Sequence, residues 1–219
     1  MTTRTKNLIF WPVVIFGGLF LVANPLSQNL WFMAWDFLDP HMNDKITAKW
    51  RDKSSDFLLS KAGSLNDTYS NVATSILIQR KEIRLEPIAL KITKSLNPQR
   101  RSGAFETLGY LGDPRAIEPL LRVVQKGRKD RDYIDAVDAL SIMRYEPIYP
   151  EILKMVSDGY ETSVAVDMLE RFPEKAETIP TLTHIEKTDP EWYIRDKAQA
   201  AIKKLESARV SLSTSKVAK

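Results

Sequence analysis

Polar and apolar residues follow two different patterns along this chain of 219 residues. No charged side chain occurs between Lys6 and Asp36, and the run LIFWPVVIFGGLFLVA, Leu8 to Ala23, is apolar at every position. From Asn71 onward, small apolar clusters recur at helical spacing, in blocks of about 30 residues. The first pattern predicts a membrane segment and the second a helical repeat.

A spanning helix needs about 20 residues to cross roughly 30 Å of hydrocarbon. Residues 7–26 supply that length if Pro12 sits in the first turn, where its missing N–H costs little. Residues 1–6 then form an inner tail. Arg4 and Lys6 precede the span, whereas the first basic residue after it is Lys45, behind Asp36, Asp39 and Asp44. The amino terminus is therefore expected inside and the rest outside, in a bacterium on the periplasmic side of the inner membrane. The competing reading is a cleavable signal peptide ending at Ala23, although Leu21 is large for a cleavage site. That reading gives a soluble periplasmic adaptor. Gly17 and Gly18 form a small-residue notch where a neighbouring membrane helix could seat.

The segment after the span, residues 27–42, contains LWFMAWDFL, apolar at nearly every position and too short to cross a membrane. Trp31, Phe32, Trp35 and Phe37 are its candidate anchors. Tryptophan is enriched at membrane interfaces, and aromatic side chains concentrate energy in protein contacts. Part of the segment is expected beneath the first repeat and part against a membrane-embedded partner. Residues 43–66 follow; Asn43 to Gly63 has Ile46, Trp50, Phe57 and Leu58 near helical spacing and predicts one capping helix closed by Gly63.

The repeat has two markers. LEPIALKI, IEPLLRVV, IYPEILKM and IPTLTHI align on Pro87, Pro119, Pro150 and Pro180, in steps of 32, 31 and 30. Upstream of each proline lies a pair at i, i+4: Ala73/Leu77, Ala104/Leu108, Ala136/Leu140 and Ala165/Leu169, with a final Ala198/Ile202. A small and a large apolar residue on one helix face let a neighbouring helix approach closely. Proline fits the first turn of the next helix without losing a hydrogen bond. Each block is thus a helical hairpin that buries its apolar face only by stacking. About four and a half units fill residues 67–207, and residues 208–219, small, polar and basic, predict a frayed tail.

The stretch LGYLGDPRAIEPLL, Leu108 to Leu121, resembles the HEAT-repeat family, in the subtype described as phycobilisome-lyase-like, and YIRDKAQAAIKKL, Tyr193 to Leu205, is similar to the first helix of another unit. The resemblance implies an all-α fold, a right-handed α-superhelical solenoid, used mainly to bind other proteins. Some such proteins are bilin lyases, so a lyase-like or chaperone-like factor acting on a protein or pigment is the alternative from another class. The resemblance also implies that second helices line the concave face. Counting from each proline, Lys91, Arg122, Lys154 and His184, then Lys94, Lys126 and Lys187, stack as a basic ridge suited to an acidic protein surface. Lysines near helix C-termini meet the helix dipole in any case, and Glu151 and Glu186 dilute the ridge.

Composition narrows the chemistry. There is no cysteine, so disulfides, thiolate metal sites and cysteine nucleophiles are excluded. His184 has no second histidine or carboxylate pair at metal spacing, and His41, beside Asp39 and Asp44, lacks the alternating ligands and glycine of a calcium loop, so those aspartates read as helix caps and neither metal nor other cofactor is expected. The formal charge of +4 falls, beyond Arg4 and Lys6, to 30 basic against 28 acidic residues. No basic block suits a phosphate backbone, so no nucleic acid is expected. No nucleophile and base converge on one motif, so the sequence predicts no catalysis and no small-molecule substrate. The expectation is a membrane-anchored scaffold or accessory subunit whose partners are membrane protein subunits. KGRKDRD, Lys126 to Asp132, mixes both signs and predicts a solvated turn.

Overall fold

The computed structural model describes residues 42–217, with side chains from 43 to 208. Among the described residues there are eleven α-helices and no strand, so the chain is all-α. Residues 1–41 lie outside them. They carry the expected inner tail, the anchor with Gly17 and Gly18, and all but the last residue of the aromatic segment. Among the described residues no helix is long and apolar enough to cross a membrane. The described residues divide into two compact units, with the boundary between Ile92 and Thr93.

The first unit holds α1 (Met42–Trp50), α2 (Ser55–Ala62), α3 (Asp67–Gln79) and α4 (Glu86–Ile92). The single capping helix expected over 43–63 is two helices, and tryptophan packing explains the break. Seven residues of continuous helix would set Trp50 and Phe57 about 10 Å apart along one axis. The turn at 51–54 instead folds Phe57 edge-on against Trp50, with ring centroids 5.2 Å apart, and Tyr69 closes the other side at 5.1 Å. Ser54 starts the new helix by accepting from the Phe57 N–H at 3.3 Å. Arg80, at the end of α3, donates to the carbonyls of Arg51 and Lys53 at 2.6 and 2.8 Å, satisfying oxygens that the break releases.

The second unit holds α5 (Pro98–Leu111), α6 (Ile117–Gln125), α7 (Tyr133–Ile142), α8 (Tyr149–Ser157), α9 (Thr162–Glu170), α10 (Thr178–Thr188) and α11 (Trp192–Val217). Helices α5, α7, α9 and α11 touch in succession, and α6, α8 and α10 each pack on the helix that follows. The marker residues occupy the places their chemistry demands. Pro87, Pro119, Pro150 and Pro180 lie in the first turns of α4, α6, α8 and α10. Every alanine of the i, i+4 pairs and all four leucines are buried. Gly109 shows how tight this seam is: a Cβ there would stand 3.1 Å from the Cα and carbonyl oxygen of Ala139.

Polar groups fasten successive helices at about one repeat of separation. Between α5 and the turn leading into α7, the buried Arg101 donates to Asp132 at 2.9 Å and to the carbonyls of Ser95 and Leu96. Between α7 and the end of α9, Arg171 donates to Asp138 at 2.6 Å and to the Ser141 hydroxyl at 2.5 Å. Between α9 and α11, Lys197 reaches Asp167 at 2.6 Å and the Ser163 carbonyl at 2.7 Å. Arg144 to Glu174 and Lys175 to Glu146 repeat the arrangement at the hairpin turns.

Three of the four hairpins turn through left-handed backbone. Lys81, Gly112 and Arg144 follow α3, α5 and α7 with φ of 53°, 64° and 54°. Only Gly112 is free of the Cβ clash that makes this region costly. At the carboxyl end, α11 continues to Val217 where a tail was expected from 208. The stretch from Ala208 to Val217 contains neither glycine nor proline, so no residue there stops a helix.

Candidate groove on the second unit

The turn expected to be merely solvated builds one side of a groove on the second unit. Helix α6 ends at Gln125, and Gly127, with φ of 77°, redirects the chain. Asp130 accepts from the Asp132 N–H at 3.0 Å and pairs with Lys126 at 3.2 Å. The Asp132 N–H, with Lys126 beside it, holds the Asp130 carboxyl below its ordinary range. The loop is thus fixed by its own polar groups, which leaves Arg128 free to turn inward.

Arg128 lies over the Tyr160 ring, 4.6 Å from its centroid, and pairs with Asp158 at 3.0 Å. Its Nη2 is buried and has no partner in hydrogen-bond geometry, although the Tyr133 hydroxyl is near. Tyr133, the first residue of α7, is 1% exposed and stands edge-on to Tyr160 at 6.1 Å. Its hydroxyl donates to Glu151 of α8. Burial, with Glu151 adding to it, pushes the Tyr133 hydroxyl from 10.0 up to about 12.

Arg128, Tyr133, Glu151 and Asp158, with Lys126, Lys129 and Lys154, line an open groove of ≈ 570 Å³ between the end of α6, the start of α7 and α8. Its two carboxylates are engaged, Glu151 by Tyr133 and Asp158 by Arg128. Lys129 and Lys154 are exposed and make no ion pair within 4.0 Å among the described residues. With Arg128 balanced by Asp158 and Lys126 by Asp130, the groove keeps Lys129 and Lys154 against the single charge of Glu151, a net positive charge beside the Tyr133 ring.

The expected ridge is gathered only in part. Lys126 and Lys154 share this groove. Arg122 does not line it; it is exposed on α6 and bound to Glu118 one turn back, at 2.5 Å. Lys187 and His184 are exposed on α10, away from the groove lining, and Lys91 and Lys94 are exposed at and just beyond the end of α4. Trp31, Phe32, Trp35 and Phe37 lie outside the described residues. Arg128, Tyr133 and Tyr160 were not singled out by spacing, because a turn of mixed charge does not reveal which cation folds inward. Tyr160, an aromatic just past the end of α8, is the cue in the sequence. Among the described residues no group of three His, Asp or Glu is placed to hold a metal. Compared with known proteins, the chain matches no family model and no curated relative.

Proposed function

We propose that the chain is a membrane-anchored HEAT-like helical solenoid that binds other proteins, an accessory subunit or scaffold without chemistry of its own. The observation that carries this reading is the recurrence of one interface: α5, α7, α9 and α11 follow each other through buried alanines and a polar fastening at each step. Such stacking leaves α6, α8 and α10 half clothed, with cations such as Lys154 and Lys187 turned to solvent. Extended surfaces of this kind recognise proteins by charge and shape.

The anchor at 7–26, with the amino terminus inside, places the helices on the outer side of the membrane, in a bacterium the periplasm. The aromatic segment stands where it can meet a membrane-embedded partner, through Trp31, Phe32, Trp35 and Phe37. The test is purification of the full-length chain from its native membranes in mild detergent, with mass spectrometry of the intact and co-purifying proteins. Stoichiometric membrane subunits accompanying a chain that retains residues 1–23 support the reading. Recovery of the chain alone, or of one beginning near Asn24, overturns it. Replacing Trp31, Phe32 and Trp35 by alanine is expected to release the partners.

A further inference from the structure

We infer that the groove between α6, α7 and α8 is a docking site for an acidic peptide segment of a partner protein, a reading that rests on the protein-binding role proposed above. Charge decides the occupant. Of the groove's charged side chains, Asp158 is paired with Arg128 and Glu151 only accepts from the neutral Tyr133 hydroxyl, whereas Lys129 and Lys154 stand exposed without a counter-charge within 4.0 Å, so positive charge exceeds negative by one. Lys126 shares its charge with Asp130. The positive charge left over favours an occupant that brings carboxylates to Lys129 and Lys154.

Shape and floor make the choice narrower. The groove is open along its length, which suits a chain laid across it better than a small ligand enclosed on most sides. Tyr133 and Arg128 line it, and both pack against the Tyr160 ring. Aliphatic stems and ring edges of this kind pack against peptide side chains while the lysine heads select carboxylates. The Arg128 Nη2 is buried and lacks a partner, so Arg128 supports the floor and is not the contact.

The experiment uses the full-length chain in detergent micelles and a fluorescein-labelled ten-residue peptide alternating Glu and Asp with Gly, read by anisotropy. Saturable binding that weakens at least tenfold in Lys129→Glu with Lys154→Glu, and that weakens with added salt, supports the site. Both lysines are exposed, so the variant is expected to keep its helical circular dichroism; the milder Lys129→Gln with Lys154→Gln serves as a second variant and should show an intermediate loss. Binding unchanged by either pair, equal binding of the matching Gln and Asn peptide, or displacement by millimolar phosphate or by an oligonucleotide as readily as by unlabelled peptide overturns it. The two proposals fail separately. If native partners co-purify equally with wild type and the charge-reversed variant, the groove is not their contact and the scaffold reading survives. If the peptide binds through Lys129 and Lys154 while no partner co-purifies, the groove stands and the scaffold reading falls.

Discussion

Helices α7 and α8 come from one repeat and differ in almost everything that a residue can do. Helix α7 is buried along Ala136, Val137, Ala139, Leu140 and Ser141, and its polar side chains are spent on neighbouring helices. Helix α8 buries Tyr149, Ile152 and Met155, and turns Lys154 and Ser157 to solvent. The contrast teaches where stability and recognition reside. Residues of α7 touch protein on several sides, so substitutions there alter folding; the exposed positions of α8 touch little and can change with the partner.

The largest effect should come from emptying the seam. Leu140→Ala is expected to lower unfolding free energy by about 3 kcal/mol, because Leu140 is fully buried. Lys154→Ala should stay within about 0.5 kcal/mol of wild type. Urea denaturation compares the two; similar losses would erase the division between helices. Overfilling the seam comes next. Gly109→Ala would set a Cβ 3.1 Å from the backbone of Ala139, which cannot yield as a flexible side chain does. A loss of about 2 kcal/mol is expected, with little change in the exposed groove's peptide affinity.

The polar fastening between α7 and α9 should be worth less. Arg171 and Asp138 are about a quarter exposed, 28% and 27%, so solvent screens the pair. A double-mutant cycle with Arg171→Ala and Asp138→Ala is expected to give a coupling of about 0.5 to 1 kcal/mol. A coupling near zero would reduce the seam to apolar packing alone.

The finest distinction is a pH effect at Tyr133, where the two helices meet. Its hydroxyl ionises near 10.0 when the chain is unfolded and only at about 12 when folded. Between those values the folded state holds more protons, so this contribution to stability is complete below pH 10 and falls away as pH rises towards 12. Stability of wild type measured across that range should therefore decline more steeply than that of Tyr133→Phe. Parallel slopes would mean that the Tyr133 environment is as wet as bulk solvent.

Much of the helical plan was legible because its cause is local. Proline in a first turn and an alanine–leucine pair on one face constrain the backbone wherever they occur, and each marks a helix of the structure. The break between α1 and α2 was not legible, since Trp50 is drawn to Phe57 and Tyr69 by tertiary packing that leaves no trace in periodicity. The polar fastenings went unread for a related reason. Arg101 and Asp132, or Arg171 and Asp138, lie 31 and 33 residues apart and look like ordinary surface charges until the helices are stacked. Lys126 and Lys154 were found by counting from the prolines, but Arg128 was not, because its inward turn depends on Tyr160.

The left-handed residues that close three of the hairpins have a consequence for how far this protein stands from its own optimum. Gly112 fills one of them, while Lys81 and Arg144 hold the same backbone shape at a steric penalty. Exposed strain of this kind persists when selection asks only that a fold exceed a threshold. Lys81 and Arg144 are thus a reserve: two places where a glycine would relieve the backbone.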